Sequence, residues 1–102
     1  MDFFNLVDLC LKYKIKRFIY ASSSSVYGSK NQVPYSESKS NTENPNSLYA
    51  AAIKCNELIA KSYSSLHGLE TIGLRFFTVY GPWGRPDMLY FKFTNSIIKK
   101  NQ

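Results

Sequence analysis

Residues 17–22 have the sequence RFIYAS, and this short stretch decides how the rest of the chain is arranged. Its aromatic and β-branched residues stand between a basic run and a run of serines, a pattern typical of a buried strand. Residues 71–77, TIGLRFF, have a similar composition and predict a second strand. Residues 47–66, between them, carry apolar side chains at three- and four-residue steps, which predicts a helix. A strand, a helix and a strand in succession predict a parallel pair with a right-handed crossover.

The remaining segments extend this unit at both ends. Residues 2–13 have an amphipathic pattern that predicts a helix, and residues 88–99 predict another. Residues 22–46 are rich in serine, asparagine and proline, and residues 78–86 contain two prolines and two glycines, so both segments are predicted loops. The expected fold class is therefore α/β, in the order helix, strand, long loop, helix, strand, loop, helix.

The predicted crossover helix raises a question about one tyrosine. The helix is expected to bury one apolar stripe, made of Leu48, Ala52, Cys55, Leu58, Ile59 and Leu66. Gly68 is predicted to end the helix in the left-handed conformation. Tyr49 lies beside the stripe, and a partner on the same face would stand four residues later, where the sequence has Ile53. Lys54 is the next residue, about 100° further round the helix.

Length, composition and charge restrict the class of protein. The chain has 102 residues and is 44% hydrophobic, which fits one small domain and does not fit a disordered tail. The formal charge of +6 permits binding to nucleic acid. The basic run between Lys12 and Arg17 is explained more simply as a solvated helix end, and no nucleic-acid-binding motif accompanies it. We therefore expect no nucleic-acid partner.

The cysteines and the apolar runs indicate the compartment. Cys10 and Cys55 lie far apart in apolar helical patterns, and no CxxC motif is present, so we expect neither a disulfide nor a metal site. Buried free thiols would fit a reducing compartment. The N-terminal residues lack the pattern of a signal peptide, and no apolar run is long enough to span a membrane. We expect a cytoplasmic protein without a membrane partner.

The topology alone predicts where a site would lie. The segments SSSSVYG and TVYGPWGRP each follow a predicted strand. Ligands of parallel sheets bind beyond the carboxyl ends of the strands. The site is therefore expected between these two loops and the start of the crossover helix.

Three segments together resemble a known family. YASSSSVYG at 20–28, NPNSLYAA at 44–51 and GLRFFTVYGPWGRPDM at 73–88 resemble the extended short-chain dehydrogenase/reductases, also called NAD-dependent epimerases/dehydratases. Among these, the sequence is most similar to the UDP-glucuronate 4-epimerases. The resemblance implies part of a Rossmann-like parallel sheet, NAD as cofactor and a UDP-sugar substrate. The implied reaction interconverts UDP-glucuronate and UDP-galacturonate by transient oxidation at C4, and such enzymes are usually homodimers.

The resemblance also implies roles for seven residues. By motif position, Tyr49 corresponds to the catalytic base and Ser23 to its hydroxyl partner, while Tyr49 and Phe77 correspond to cofactor-binding residues. The positions implied to bind the sugar and its carboxylate are Ser24, Ser25, Thr78 and Arg85. A simpler role is available for each residue: the serines could cap a turn, Tyr49 could be a surface ring, Phe77 could be core and Arg85 could be a loop charge. No metal ligand is implied.

The sequence departs from the family pattern in two respects. The family has lysine four residues after the tyrosine, where it promotes loss of the phenol proton and holds the nicotinamide ribose, and this chain has Ile53. The glycine-rich turn of a dinucleotide-binding unit is also missing. We therefore expect residues 1–102 to be a single partial domain, without the N-terminal cofactor half and the C-terminal substrate region.

Two functional alternatives follow from these departures. The first is an impaired UDP-glucuronate 4-epimerase-like protein, and the second is a non-catalytic, truncated remnant of such an enzyme. Dehydratases of the family place an acidic pair where this chain has Ser24 and Ser25, so epimerisation is favoured over dehydration. Two strands with few covering helices would leave apolar faces exposed, which predicts poor solubility of the isolated chain.

Overall fold

The computed structural model describes residues 2–29, 33–37 and 44–100. It confirms the α/β class, with one unpredicted 3₁₀ turn after the first strand. The elements in chain order are α1 (Asp2–Lys12), β1 (Arg17–Ser23), the 3₁₀ turn (Ser24–Tyr27), α2 (Leu48–His67), β2 (Glu70–Phe76) and α3 (Leu89–Lys100). The predicted long loop at 22–46 lies partly outside the described residues. None of the described helices is both long and apolar enough to cross a membrane.

The two strands pair in parallel, as predicted. The register runs from Arg17 opposite Glu70 to Ser23 opposite Phe76. The carboxyl ends of β1 and β2 are therefore level, and the residues that follow them begin at the same edge of the sheet.

Both α1 and α2 cover the same face of this sheet. Phe3 of α1 contacts the rings of Phe18 and Tyr20, at centroid distances of 5.7 and 5.1 Å. Thr71 of β2 donates a hydrogen bond to the carbonyl oxygen of Ala60 in α2 at 3.4 Å. Because side chains alternate along a strand, the intervening residues point to the other face. The exposed apolar side chains of that face are Ile19, Ile72, Leu74 and Phe76.

The sheet-facing side of α2 is not the predicted apolar stripe. Ala50 and Ala60 are fully buried, whereas Leu48 is 91% and Leu66 is 77% exposed. The buried side lies about half a turn from the stripe. Its alanines are small, so the helix backbone can approach the sheet closely on that side. Cys55 on the stripe is exposed and Cys10 is half-buried, so the expectation of two buried thiols was wrong.

The ends of α2 follow from local hydrogen bonding. The side chain of Ser47 accepts a hydrogen bond from the backbone N–H of Ala50 at 3.0 Å, which caps the first turn. Gly68 ends the helix at φ 70° and ψ 16°, the predicted left-handed cap. Tyr49 therefore occupies the second position of a capped helix.

The last helix packs loosely. No residue of α3 is buried, and its ring contacts with the preceding loop include Tyr80 and Tyr90 at 6.2 Å. The Tyr90 hydroxyl donates to the carbonyl oxygen of Val79 at 3.3 Å. The core is consequently small and lies between α1, α2 and one face of the sheet.

Candidate active site

Ser23 ends β1 and caps the 3₁₀ turn. Its hydroxyl oxygen accepts hydrogen bonds from the backbone N–H of Ser25 at 3.2 Å and from the Ser25 hydroxyl at 3.0 Å. A serine oxygen has two acceptor positions and one hydrogen to donate. With both acceptor positions used, the Ser23 hydroxyl is arranged to donate its hydrogen to a further oxygen. Ser24 follows Ser23 in the same turn and is half-buried.

The chain before α2 packs against this turn. Gly28 ends the turn at φ 65°, and a Cβ atom at that position would lie 2.5 Å from the carbonyl oxygen of Asn44. Only a glycine permits such a close approach in this conformation. Helix α2, which begins at Leu48, also contacts the 3₁₀ turn.

Tyr49 is available for contact with a ligand. Its side chain is 61% exposed at the start of α2. A crossover helix between parallel strands begins at their carboxyl edge. By this rule the start of α2, with Tyr49, belongs to the edge at which Ser23 ends β1.

The residues after β2 complete this edge. Phe77 follows Phe76, the partner of Ser23 in the sheet, and is 54% exposed. Its ring lies 6.2 Å from that of Tyr27 and 5.8 Å from that of Tyr35, so it is neither a core residue nor isolated. Thr78 is exposed directly after Phe77.

Arg85 is exposed and paired within its own loop. Its Nε donates to Oδ1 of Asp87 at 3.0 Å, and Nη2 donates to the other carboxylate oxygen. These hydrogen bonds raise the pKa of Arg85 and lower that of Asp87. A ligand carboxylate would have to take the place of Asp87 to bind this guanidinium.

The position of the family's lysine carries no donor. Ile53 is half-buried in α2. Lys54 is directed to the next turn of the helix, where its Nζ lies 3.5 Å from Oε2 of Glu57. Lys54 thus already contributes to another cluster and does not stand in for the missing amine.

That cluster was not anticipated from the sequence. Oε1 of Glu57 accepts hydrogen bonds from the Ser22 hydroxyl at 2.6 Å and from Nε of Arg75 at 2.8 Å. Nη2 of Arg75 donates to Oε2 at 2.9 Å, and the guanidinium carbon lies 4.9 Å from the ring centroid of Tyr27. An arginine inside a predicted buried strand was the available signal, since such a charge needs a carboxylate partner.

The cluster controls the ionisation of its members. Burial raises the pKa of Glu57, but the hydrogen bonds from Arg75 and Ser22, with the charges of Arg75 and Lys54, outweigh burial and lower it to about 2. The hydrogen bond to Glu57 is the largest cause that raises the pKa of Arg75. Both groups are therefore charged at neutral pH.

A cavity of about 900 Å³ borders this cluster and is lined by residues from both faces of β2. Its walls include Tyr35, Glu57, Arg75 and Phe77. Phe77 is the only one of the seven sequence-predicted site residues that lines it. The cavity therefore adjoins the edge that carries Ser23 and Tyr49 and is distinct from it. Within the described ranges, no group of three or more His, Cys, Asp or Glu side chains could hold a metal ion.

Comparisons with known proteins agree with this architecture. A sequence model of the NAD dependent epimerase/dehydratase family matches residues 2–102. Protein CapI of Staphylococcus aureus is 56% identical over 98 residues, which cover 96% of this chain and 29% of CapI. UDP-glucuronate 4-epimerase 4 of Arabidopsis thaliana is 54% identical over 98 residues, which cover 95% of this chain and 22% of that protein.

A solved structure extends the comparison to the fold. UDP-glucuronic acid 4-epimerase from Bacillus cereus, in complex with UDP-glucuronic acid and NAD, superposes with a TM-score of 0.77 at 32% identity. The match covers 95% of this chain and 30% of the Bacillus chain. The chain thus spans less than one third of each of these three relatives.

Proposed function

Because the chain belongs to the NAD dependent epimerase/dehydratase family, we propose that it forms the sugar-facing part of a UDP-glucuronate 4-epimerase. One observation carries the proposal: Ser23 ends β1 level with the end of β2, and the exposed Tyr49 is in the first turn of α2, a helix that contacts the 3₁₀ turn capped by Ser23. The 54% identity to a UDP-glucuronate 4-epimerase supports the choice of substrate. Residues 1–102 would then be a single partial domain of the longer enzyme.

The two hydroxyl groups have complementary tasks at the sugar's 4-hydroxyl. Because both acceptor positions of the Ser23 oxygen are taken by Ser25, Ser23 donates its hydrogen to O4 of the sugar. The 4-hydroxyl then directs its own hydrogen toward the phenol oxygen of Tyr49, which acts as general base. One residue orients the hydroxyl and the other removes its proton.

Four further residues are proposed to bind the sugar and its carboxylate. Arg85 offers the charge, after its guanidinium exchanges Asp87 for the uronate in a charge-assisted hydrogen bond. Ser24 and Thr78 provide hydroxyl donors, while Ser25, whose one hydrogen is donated to Ser23, offers its oxygen as an acceptor for a sugar hydroxyl. A uronic acid suits this set better than a neutral sugar, which would leave the guanidinium with Asp87.

The described residues offer contacts for only one part of the cofactor. When bound, NAD, the cofactor of this family, would supply reversible hydride transfer at C4 of the sugar. The exposed ring of Phe77 offers a flat contact for the nicotinamide. The five glycines of the sequence form no dinucleotide-binding turn, and Ile53 has no donor for the ribose. We place the nicotinamide end here and no other part of NAD.

Ile53 makes reduced activity part of the proposal. Loss of the lysine removes a positive charge that would assist Tyr49, and loss of acid–base assistance costs about 10²–10⁴ in rate. Lys54 does not compensate, because its amine lies against Glu57. The alternative is a non-catalytic remnant, which the same two observations favour.

The outer side of α2 is proposed to bind a second copy of the chain. Leu48, Cys55 and Leu66 are exposed there, although the sequence arranges them as one apolar stripe. The family resemblance of the sequence implies a homodimer, and we propose this stripe as part of the contact. Leu66→Glu, which introduces a charge into the stripe, should then lower the association state in sedimentation velocity, whereas an unchanged state would exclude the contact.

Ligand binding and turnover test the proposed function separately. The chain would be titrated with UDP-glucuronate and with UDP-glucose by saturation-transfer NMR, then incubated with NAD and assayed for UDP-galacturonate. We expect preference for UDP-glucuronate, reduced binding in Arg85→Gln, and turnover that is weak or absent until Ile53→Lys is introduced. Equal binding of both sugars, or no binding of either, would refute the substrate assignment.

A further inference from the structure

We infer that Glu57 is a positioning residue that fixes the three segments carrying Ser23, Tyr49 and Phe77 relative to one another. The inference rests on the proposed function, because it assigns Glu57 a role toward that site. Glu57 itself acts through neighbouring residues.

The first link joins Glu57 to the end of β1. Ser22 is 6% exposed, and its hydroxyl donates to Oε1 of Glu57 at 2.6 Å. Ser23 is the next residue, so a shift of Ser22 would move the hydroxyl that is proposed to bind O4. The 3₁₀ turn continues directly from this point.

The second link joins Glu57 to the end of β2. Nε and Nη2 of Arg75 donate to the two carboxylate oxygens at 2.8 and 2.9 Å, a bidentate arrangement with defined orientation. Phe77 lies two residues beyond Arg75. The guanidinium carbon also lies 4.9 Å from the ring centroid of Tyr27, at the end of the 3₁₀ turn.

The third link is α2 itself. Glu57 and Tyr49 belong to one continuous helix. Hydrogen bonds that hold Glu57 against the two strands therefore also restrain the start of the helix. The Glu57 side chain is 12% exposed and that of Arg75 is 24% exposed, which restricts their alternative positions. One carboxylate thus connects the elements that carry the proposed catalytic pair and the nicotinamide contact.

Glutamine cannot reproduce this arrangement. Oε1 accepts from Ser22 and Arg75, and Oε2 accepts from Arg75 and Lys54. An amide has one acceptor oxygen, and its NH₂ group would face donors on the other side. Glu57→Gln therefore keeps the size of the side chain and breaks one half of the connection.

The same strands provide a matched control. Nε of Arg17 donates to Oε2 of Glu70 at 2.8 Å, at the amino ends of β1 and β2. These side chains are 60% and 52% exposed. Glu70→Gln removes an equivalent carboxylate from the opposite end of the sheet, away from the site.

Amide hydrogen exchange at Ser25 reports directly on the geometry of the site. The Ser25 N–H donates to the Ser23 oxygen, so its exchange rate follows the position of Ser23. The rate would be measured by NMR in folded samples and divided by the rate at Ala60, inside α2, which corrects for global unfolding. We expect this ratio to rise about tenfold in Glu57→Gln and to stay unchanged in Glu70→Gln.

Ser22→Ala provides a milder variant, because it removes one link and keeps the ion pair. We expect the same direction of change there, with weaker UDP-glucuronate binding in both cluster variants and partial recovery in Glu57→Asp. An unchanged exchange ratio in folded Glu57→Gln or Ser22→Ala would show a merely stabilising role and overturn the inference. Failure of the wild-type chain to bind UDP-glucuronate would refute the proposed function, while the exchange ratio would still decide the positioning role.

Discussion

Replacing Glu57 by glutamine should change how the stability of the chain depends on pH. The pKa of Glu57 is lowered from its ordinary value of 4.5 to about 2 in the folded chain. A lowered carboxyl pKa contributes stability that is fully present above pH 4.5 and is lost as pH falls toward 2. Glu57→Gln lacks the titrating group, so its stability should vary less over this range.

The size of the effect follows from the shift. The difference between the two pKa values corresponds to roughly 3 kcal/mol, at about 1.36 kcal/mol per unit. The side chains of Arg75 and Lys54 are 24% and 23% exposed, so solvent screens part of this energy. We therefore expect Glu57 to contribute about 1–2 kcal/mol at pH 7 and little at pH 2.

Urea unfolding at several pH values, followed by circular dichroism, measures this contribution. The curves of wild type and Glu57→Gln should differ by about 1–2 kcal/mol at pH 7 and converge as the solution becomes acidic. Glu70→Gln, which breaks the exposed pair with Arg17, should cost less than about 1 kcal/mol. A gap between wild type and Glu57→Gln that stays constant from pH 7 to pH 2 would show that ionisation of Glu57 does not stabilise the fold.

Further measurements test the cap of α2, the close approach at Gly28, the effect of Ile53 on NAD binding and the exposed face of the sheet. Ser47→Ala removes the cap of α2 and should lower the free energy of unfolding by about 1 kcal/mol in urea titrations, whereas no loss would show that the cap is unimportant. Gly28→Ala places a Cβ against Asn44 at a positive φ and should lower the melting temperature; an unchanged value would contradict the close approach. Ile53→Lys should strengthen NAD binding in isothermal titration, and equal affinity would show that the amine is irrelevant. The exposed apolar residues on the outer face of the sheet predict aggregation, which a soluble monomer with a sharp two-state melt would contradict.

The strand–helix–strand unit could be predicted from sequence because each element carries its own local signal. The alternation of composition located both strands to within one or two residues, and Gly68 marked the end of α2. The parallel pairing followed from the presence of a crossover helix. These features depend on residues that are close together in the sequence, so they can be predicted from the sequence alone.

The buried side of α2 could not be predicted in the same way. Hydrophobic periodicity selected the face that contains Leu48 and Leu66, but Ala50 and Ala60 face the sheet. Periodicity identifies an apolar face and does not identify what covers it. Small side chains on the opposite face let α2 pack closely against the sheet. The need for this close packing cannot be inferred from the helix sequence alone.

The Glu57 cluster was missed because its members are distant in sequence. Ser22 is 35 residues and Arg75 is 18 residues from Glu57. Each of these residues, taken singly, resembles an ordinary loop, helix or strand residue. Their connection arises from the register of the two strands and the path of α2, which no local pattern encodes.

The proposed function requires that Ser23 and Tyr49 both contact one sugar at the carboxyl edge of the sheet. Nuclear Overhauser effects between bound UDP-glucuronate and the assigned side chains of the chain measure this directly. We predict cross-peaks from the sugar H4 to both the Ser23 Hβ atoms and the Tyr49 ring. Cross-peaks to only one of these residues, or to neither while the sugar is bound, would show that Ser23 and Tyr49 do not share the sugar.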